Sequence, residues 1–111
     1  MLIDDRLKLM ARLMDVSALK AQVHAGNIAN QNTPGYRAKA VAFDQAFEQA
    51  LRDQGADEAA DVDALIYEPQ NTPVHDDGND VSLNQEIMES AKNQTMYNAY
   101  LAMVKGKMRL L

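Results

Sequence analysis

Two stretches of the chain repeat apolar residues with the period of a helix that packs along a seam. From the N-terminus, Ile3, Leu7, Met10, Met14, Ser17, Ala21, His24 and Ile28 follow alternating steps of four and three residues, which keeps them on one helix face. Ser17 and His24 are the polar members of that seam. A second row, Leu2, Leu9, Val16 and Val23, runs beside it at steps of seven, with Leu13 nearby. The apolar surface is wider than a two-stranded seam needs, so this helix is expected to meet more than one partner helix. At the other end, Leu83, Ile87, Ser90, Gln94, Tyr97, Leu101, Val104, Met108 and Leu111 alternate in the same way, and seven of these nine are apolar.

The region between the seams has no such period. Asn30-Gln31-Asn32-Thr33-Pro34-Gly35 stops the first helix: Pro34 pushes Thr33 toward extended geometry, and Pro-Gly suits the two central positions of a type II turn. Residues 37–43 read either as an extended stretch or as a helix start. A short helix follows to about Arg52, with Phe43, Phe47, Ala50 and Leu51 on one face. Ala64 to Tyr67 suits a short strand, and the Pro, Gly, Asn and Asp residues from Pro69 to Asp80 break regular structure. Ser82 and Gln85 then fit a capping box. Glu86 and Glu89 sit at the positive start of the last helix, and Lys105, Lys107 and Arg109 at its negative end.

The expected fold is therefore mainly α. Two long, coiled-coil-type terminal helices are joined by a turn, a short helix and an irregular acidic loop. The boundaries are an N-terminal helix over 1–30, a turn and short helix over 31–52, an acidic flexible loop over 53–80, and a C-terminal helix over 81–111. The two seams pair most simply with each other, antiparallel within one chain or across chains. A bare pair of helices is marginal by itself, so both helices are expected to need neighbouring molecules.

Charge sharpens this picture. Residues 53–89 carry eleven acids and no Lys or Arg, whereas residues 90–111 carry four bases and no acid, within a chain of 111 residues and net charge −5. The acidic block reads as a solvated segment. No basic stripe with interleaved aromatics points to nucleic acid. Nothing approaches the roughly 18 apolar residues of a membrane span, and Asp4, Asp5, Arg6, Lys8, Arg12 and Asp15 interrupt any signal-peptide core. With no Cys there is no disulfide scaffold, thiol nucleophile or Cys-based metal site. His24 reads as a packed or interface histidine. The run His75-Asp76-Asp77-Gly78-Asn79-Asp80 lacks a terminal Glu at calcium-loop distance and a nucleophile, so it reads as a solvated turn. No cofactor or metal is expected, and no catalytic activity. The seven Met residues suit adaptable packing against several different neighbours.

The block Gly26-Asn27-Ile28-Ala29-Asn30-Gln31-Asn32-Thr33-Pro34-Gly35-Tyr36-Arg37-Ala38 resembles the N-terminal signature of bacterial flagellar rod and hook proteins, and within them the proximal rod proteins. The short chain, the stretch Val41 to Leu51, and Gly78 to Glu86 ahead of a helix with Asn93, Gln94 and Tyr97 extend the resemblance to nearly everything but residues 53–65. Gly26 stands where Ala is usual, and Ser82 where Asp is usual; both Ser and Asp cap helices.

That resemblance implies a structural subunit of the flagellar basal-body rod, exported through the flagellar type III apparatus without a cleaved signal. It implies self-association and contacts with other rod subunits, a ring-to-rod adaptor, the membrane ring and the export apparatus, in a periplasm-spanning rod that transmits torque. It also implies termini that are disordered before assembly. On this reading Asn27, Ile28, Ala29, Asn30, Thr33, Pro34, Gly35 and Tyr36 set a chain reversal that brings Tyr36 to Leu51 against a neighbour. Leu7, Met10, Met14, Ala21, Ile28, Leu83, Ile87, Tyr97, Leu101, Val104 and Met108 form the assembly interface. The rival reading is a soluble helical adaptor or export chaperone.

Overall fold

The computed structural model describes residues 4–110. Its spine is a pair of long helices, α1 (Asp5–Ala29) and α4 (Leu83–Arg109). Between them come strand β1 (Ala40–Ala42), helices α2 (Asp44–Asp53) and α3 (Ala56–Ala60), and strand β2 (Leu65–Tyr67). Asp4 caps α1, its carboxylate accepting from the Leu7 amide at 2.9 Å. Ser82 caps α4, its hydroxyl accepting from the Gln85 amide at 3.4 Å, which forms the first half of the expected capping box.

The two long helices run antiparallel within the chain, and polar pairs mark their contact from end to end. Lys107 meets Asp4 at 2.8 Å, Ser17 donates to Asn93 at 2.8 Å, and His24 meets Glu86 at 2.8 Å. Glu86, Asn93 and Lys107 are spaced by whole heptads on α4, so one row of that helix faces α1 throughout. This row is polar. On α1 the contact falls on the seam, including its polar members Ser17 and His24; on α4 it falls to one side of the seam. Along the seams Leu7 is buried. Met10, Met14, Ile28, Tyr97, Leu101 and Val104 are half-buried, and Ala21, Leu83, Ile87 and Met108 are exposed. Leu2, Ile3 and Leu111 lie outside the described residues.

The second row of α1 has a different partner. Val16 packs with Phe43, Phe47 and Ala59, supported by Leu9, Leu13, Val41 and Val62. The two Phe rings sit 5.1 Å apart, tilted by 31°. The extra width of the α1 surface is thus covered by α2 and α3 of the same chain. The segment Tyr36 to Leu51, expected against a neighbour, supplies Phe43 and Phe47 to this core beside its own α1.

Segment 53–80 contains the short helix α3 and the strand β2. Gly55, at φ 110°, lets the chain turn from α2 into α3, and Ala59 of α3 is fully buried. Lys8 and Arg12 on α1 hold this segment, Lys8 through Asp57 at 2.6 Å and Arg12 through the Val62 carbonyl at 2.6 Å. Residues 37–43 resolve toward extended structure, since β1 pairs antiparallel with β2, Val41 opposite Ile66. The molecule is a slab of 55 × 28 × 15 Å. No described helix is long and apolar enough to cross a membrane.

Candidate functional site

Two turns interlock at the closed end of the hairpin. The first is Thr33-Pro34-Gly35-Tyr36. Gly35 has φ 77°, and the Tyr36 amide donates to the Thr33 carbonyl at 3.2 Å, as a type II turn requires. The second is Asp76-Asp77-Gly78, with Gly78 at φ 87°. They touch backbone to backbone. The Gly35 amide donates to the Asp77 carbonyl at 2.9 Å, and a Cβ on Gly78 would lie 3.4 Å from the Gly35 Cα. Both glycines therefore serve conformation, and Gly78 also serves a close approach.

Three fully buried side chains tie the turns down. Asn27 fills its whole hydrogen-bonding capacity. Its oxygen accepts from the Lys39 amide at 3.0 Å and the Tyr36 hydroxyl at 3.2 Å; its nitrogen donates to the Lys39 carbonyl and to Glu86, both at 2.8 Å. Asn79 donates to the carbonyls of Asn30 and Thr33, both at 2.8 Å, and accepts from the Val81 amide at 2.7 Å. The Asp80 carboxylate accepts from the Ala38 amide at 2.6 Å and from Arg37 at 3.1 Å. Its carbonyl accepts from the Thr72 hydroxyl at 2.6 Å.

Asn27, Asn30, Thr33, Gly35 and Tyr36 of the signature thus all take part in one knot, and the chain turns back beside α1 after it. Ile28 is half-buried, while Ala29 and Pro34 are exposed; Pro34 presets the turn through its ring. Buried Asn79 and Asp80 depart from the solvated turn expected at 75–80. Asn and Asp in a Gly-containing stretch read as turn formers, and their burial depends on backbone groups over forty residues away, the Asn30 carbonyl for Asn79 and the Ala38 amide for Asp80. Glu86 sits in the first turn of α4, as expected, and is also buried against α1. Asn79, Asp80 and Glu86 are not legible as site residues, whereas His24 is named by its place on the α1 seam as a packed or interface histidine. The only local signal is that Asn79 and Asp80 directly precede the capped start of α4.

The knot holds geometry, its buried polar side chains being committed to hydrogen bonds. Glu86 as a carboxylate accepts from His24, which places a hydrogen on Nδ1. His75 is exposed at the surface turn, and no group of three metal-ligating side chains converges among the described residues. Shifted titrations lie elsewhere. Lys107 holds the Asp4 carboxyl below its usual range by hydrogen bonding. Asp57 holds the Lys8 ammonium above its usual range in the same way. Burial, then the Asp44 charge, raises the Tyr100 phenol.

Of the proposed interface residues, Leu83, Ile87 and Met108 are 37%, 53% and 60% exposed in the single chain. Ala21 on α1 is exposed as well. The hairpin thus keeps part of its apolar seam unpartnered.

No protein-family profile matches the chain. It is similar to "Flagellar basal body rod protein FlgB" of Aeromonas hydrophila, 32% identical over 105 residues, spanning 85% of this chain and 80% of that protein. The protein of the same name from Bacillus subtilis (strain 168) is 32% identical over 102 residues, 84% and 79% of the two chains. That from Escherichia coli (strain K12) is 24% identical over 125 residues, 96% and 90%.

Proposed function

The chain belongs to the FlgB family of flagellar basal-body rod proteins, and from that membership we propose that it polymerises through its terminal helices to join the membrane ring to the distal rod and carry torque. It is a structural subunit of the basal-body rod. Its neighbours are other rod subunits, a ring-to-rod adaptor, and the membrane ring and export apparatus. It reaches its place through the flagellar type III apparatus, with termini that become rigid on assembly, and it carries out no chemistry of its own.

One observation supports the assembly role above the rest. Leu83, Ile87 and Met108 continue the apolar heptad of α4 but face solvent in the single chain. Apolar residues repeated at helical spacing and left without a partner mark a docking face. The intrachain contact of α4 uses the neighbouring polar row of Glu86, Asn93 and Lys107 instead. Packing on α1 therefore leaves Leu83, Ile87 and Met108 of the seam open to other subunits.

The test is Ile87→Asp. It places a charge in the interface without touching a buried group of the monomer. Helix content by circular dichroism should stay unchanged, while incorporation into purified basal bodies and motility are lost. Normal motility with Ile87→Asp would refute the role of this face.

A further inference from the structure

The hairpin carries a groove on the side opposite that seam. Helices α2 and α4 both stand beside α1, and between them lies an open groove of about 450 Å³. Its floor is Val16, Phe43 and Phe47 of the hydrophobic core, and Met96 and Tyr100 wall it on α4. Those floor residues are buried, and Met96, 45% exposed, carries the accessible apolar surface of the groove. Glu48 on α2 and Glu89 on α4 stand at its lips and pair with no cation among the described residues. Asp44, beside Glu48, is neutralised by Lys20 at 2.9 Å. Lys92 sits on the same rim. The groove is thus apolar at the floor and has one free carboxylate on each lip.

The same chain carries a complement. On the last turns of α4, Leu101, Lys105, Met108 and Arg109 follow i, i+4, i+7 and i+8, so they share a face. Met108 is 60% exposed, and Lys105 and Arg109 are exposed with no ion pair to a described residue. This face points away from the side of α4 that Glu89, Met96 and Tyr100 present to the groove, because those residues lie on the other flank of the helix wheel.

We infer that the α2–α4 groove receives the Leu101–Arg109 face of α4 from a second copy, Met108 and Leu101 packing on Met96 and Tyr100 while Lys105 and Arg109 meet Glu48 and Glu89. This is the helix-in-groove mode, anchored at i, i+4 and i+7. It rests on the reading of the chain as a polymer subunit and specifies which surfaces join. Groove and face are different patches on opposite flanks. The contact is therefore heterologous, and each copy that donates its face still has a groove to receive the next. Repetition of such a contact closes a ring or propagates a helix, as a tubular polymer needs.

The chain has no native Cys, so paired substitutions report the contact directly. Full-length chains bearing either Glu48→Cys or Lys105→Cys are co-assembled into basal bodies and oxidised, with Ile87→Cys chains as a separate probe of the seam. The inference expects a Glu48→Cys to Lys105→Cys link between two copies. The reversals Glu48→Lys with Glu89→Lys, or Lys105→Glu with Arg109→Glu, should each lower incorporation by about tenfold. All four together should restore most of it. These positions are exposed, and circular dichroism checks that each variant keeps its helices. Links through Ile87→Cys without the Glu48–Lys105 link overturn this inference and leave the subunit reading standing. A link from Glu48→Cys to a different protein overturns it equally. Absence of both kinds of link would remove the polymer reading itself. Reversals whose effects fail to cancel when combined would also defeat the pairing.

Discussion

The Glu86 carboxylate of α4 and the Asn27 amide of α1 meet at 2.8 Å in the interior of the hairpin. Asn27 is fully buried and Glu86 is 7% exposed. The same carboxylate oxygen receives His24, also at 2.8 Å, so a single acceptor serves two donors on adjacent turns of α1. Polar pairs of this kind select one register, because a slip of one turn would leave every member buried and unpartnered.

Glu86→Ala is therefore expected to cost about 2–4 kcal/mol of stability, since it strands the Asn27 amide and the His24 ring without an acceptor. Glu86→Gln keeps one acceptor oxygen and should lose less. Urea denaturation of the purified chain, followed by circular dichroism, measures both. Equal losses for the two substitutions would mean that packing, not hydrogen bonding, holds this point.

At the open end of the hairpin, Lys107 lowers the Asp4 carboxyl pKa from its usual 3.8, chiefly through their hydrogen bond. A carboxyl depressed in the folded chain adds stability above its unfolded pKa and loses it as pH falls through the lower folded value. The Asp4–Lys107 link should thus hold at neutral pH and release on acidification. Lys8, raised by Asp57, has the opposite sense: its contribution is complete below the unfolded pKa and disappears as pH rises through the folded one. An NMR titration of Asp4 should show its pKa return upward in Lys107→Ala, with Lys8 unaffected.

What could be read from the chain and what could not divides along range. The Pro34-Gly35 turn, the Ser82 cap and the strand around Ile66 follow from residues a few positions apart, and all three form. The heptad on α1 locates the face that meets α4, down to its polar members Ser17 and His24. On α4 the apolar heptad indicates a sticky face, but the actual contact runs along the polar row through Asn93. Periodicity counts apolar residues; it has no way to see that Ser17 and Asn93 satisfy one another across 76 positions. Asn79 and Asp80 were hidden for the same reason. Their side chains look like turn formers until the distant carbonyls of Asn30 and Thr33 and the Ala38 amide are placed beside them.

Two glycines with different surroundings should respond in opposite directions. Gly78→Ala adds a Cβ at φ 87°, 3.4 Å from the Gly35 Cα, and should destabilise by about 1–2 kcal/mol from the left-handed backbone alone. Gly106 lies inside α4 with nothing within 4 Å of a new Cβ. Gly106→Ala should therefore stabilise by about 0.5–1 kcal/mol. Thermal melts of the two variants should bracket the parent, and a loss in Gly106→Ala would mean that α4 is not helical through that point.

Asp80 offers the sharpest probe of the knot, because its carboxylate is buried and both oxygens are occupied by donors. Asp80→Asn keeps the shape but turns one oxygen into an NH2 group, which must face either the Arg37 guanidinium or the Ala38 amide. Either choice sets donor against donor and is expected to cost about 1–3 kcal/mol. Arg37→Ala removes one of the two donors, so Asp80→Asn in that background can turn its NH2 toward the vacated side and keep its oxygen on Ala38. The second substitution should then cost markedly less than it does alone. A double-mutant cycle by urea denaturation measures this coupling, and strict additivity would show that Arg37 and Asp80 do not act as a pair.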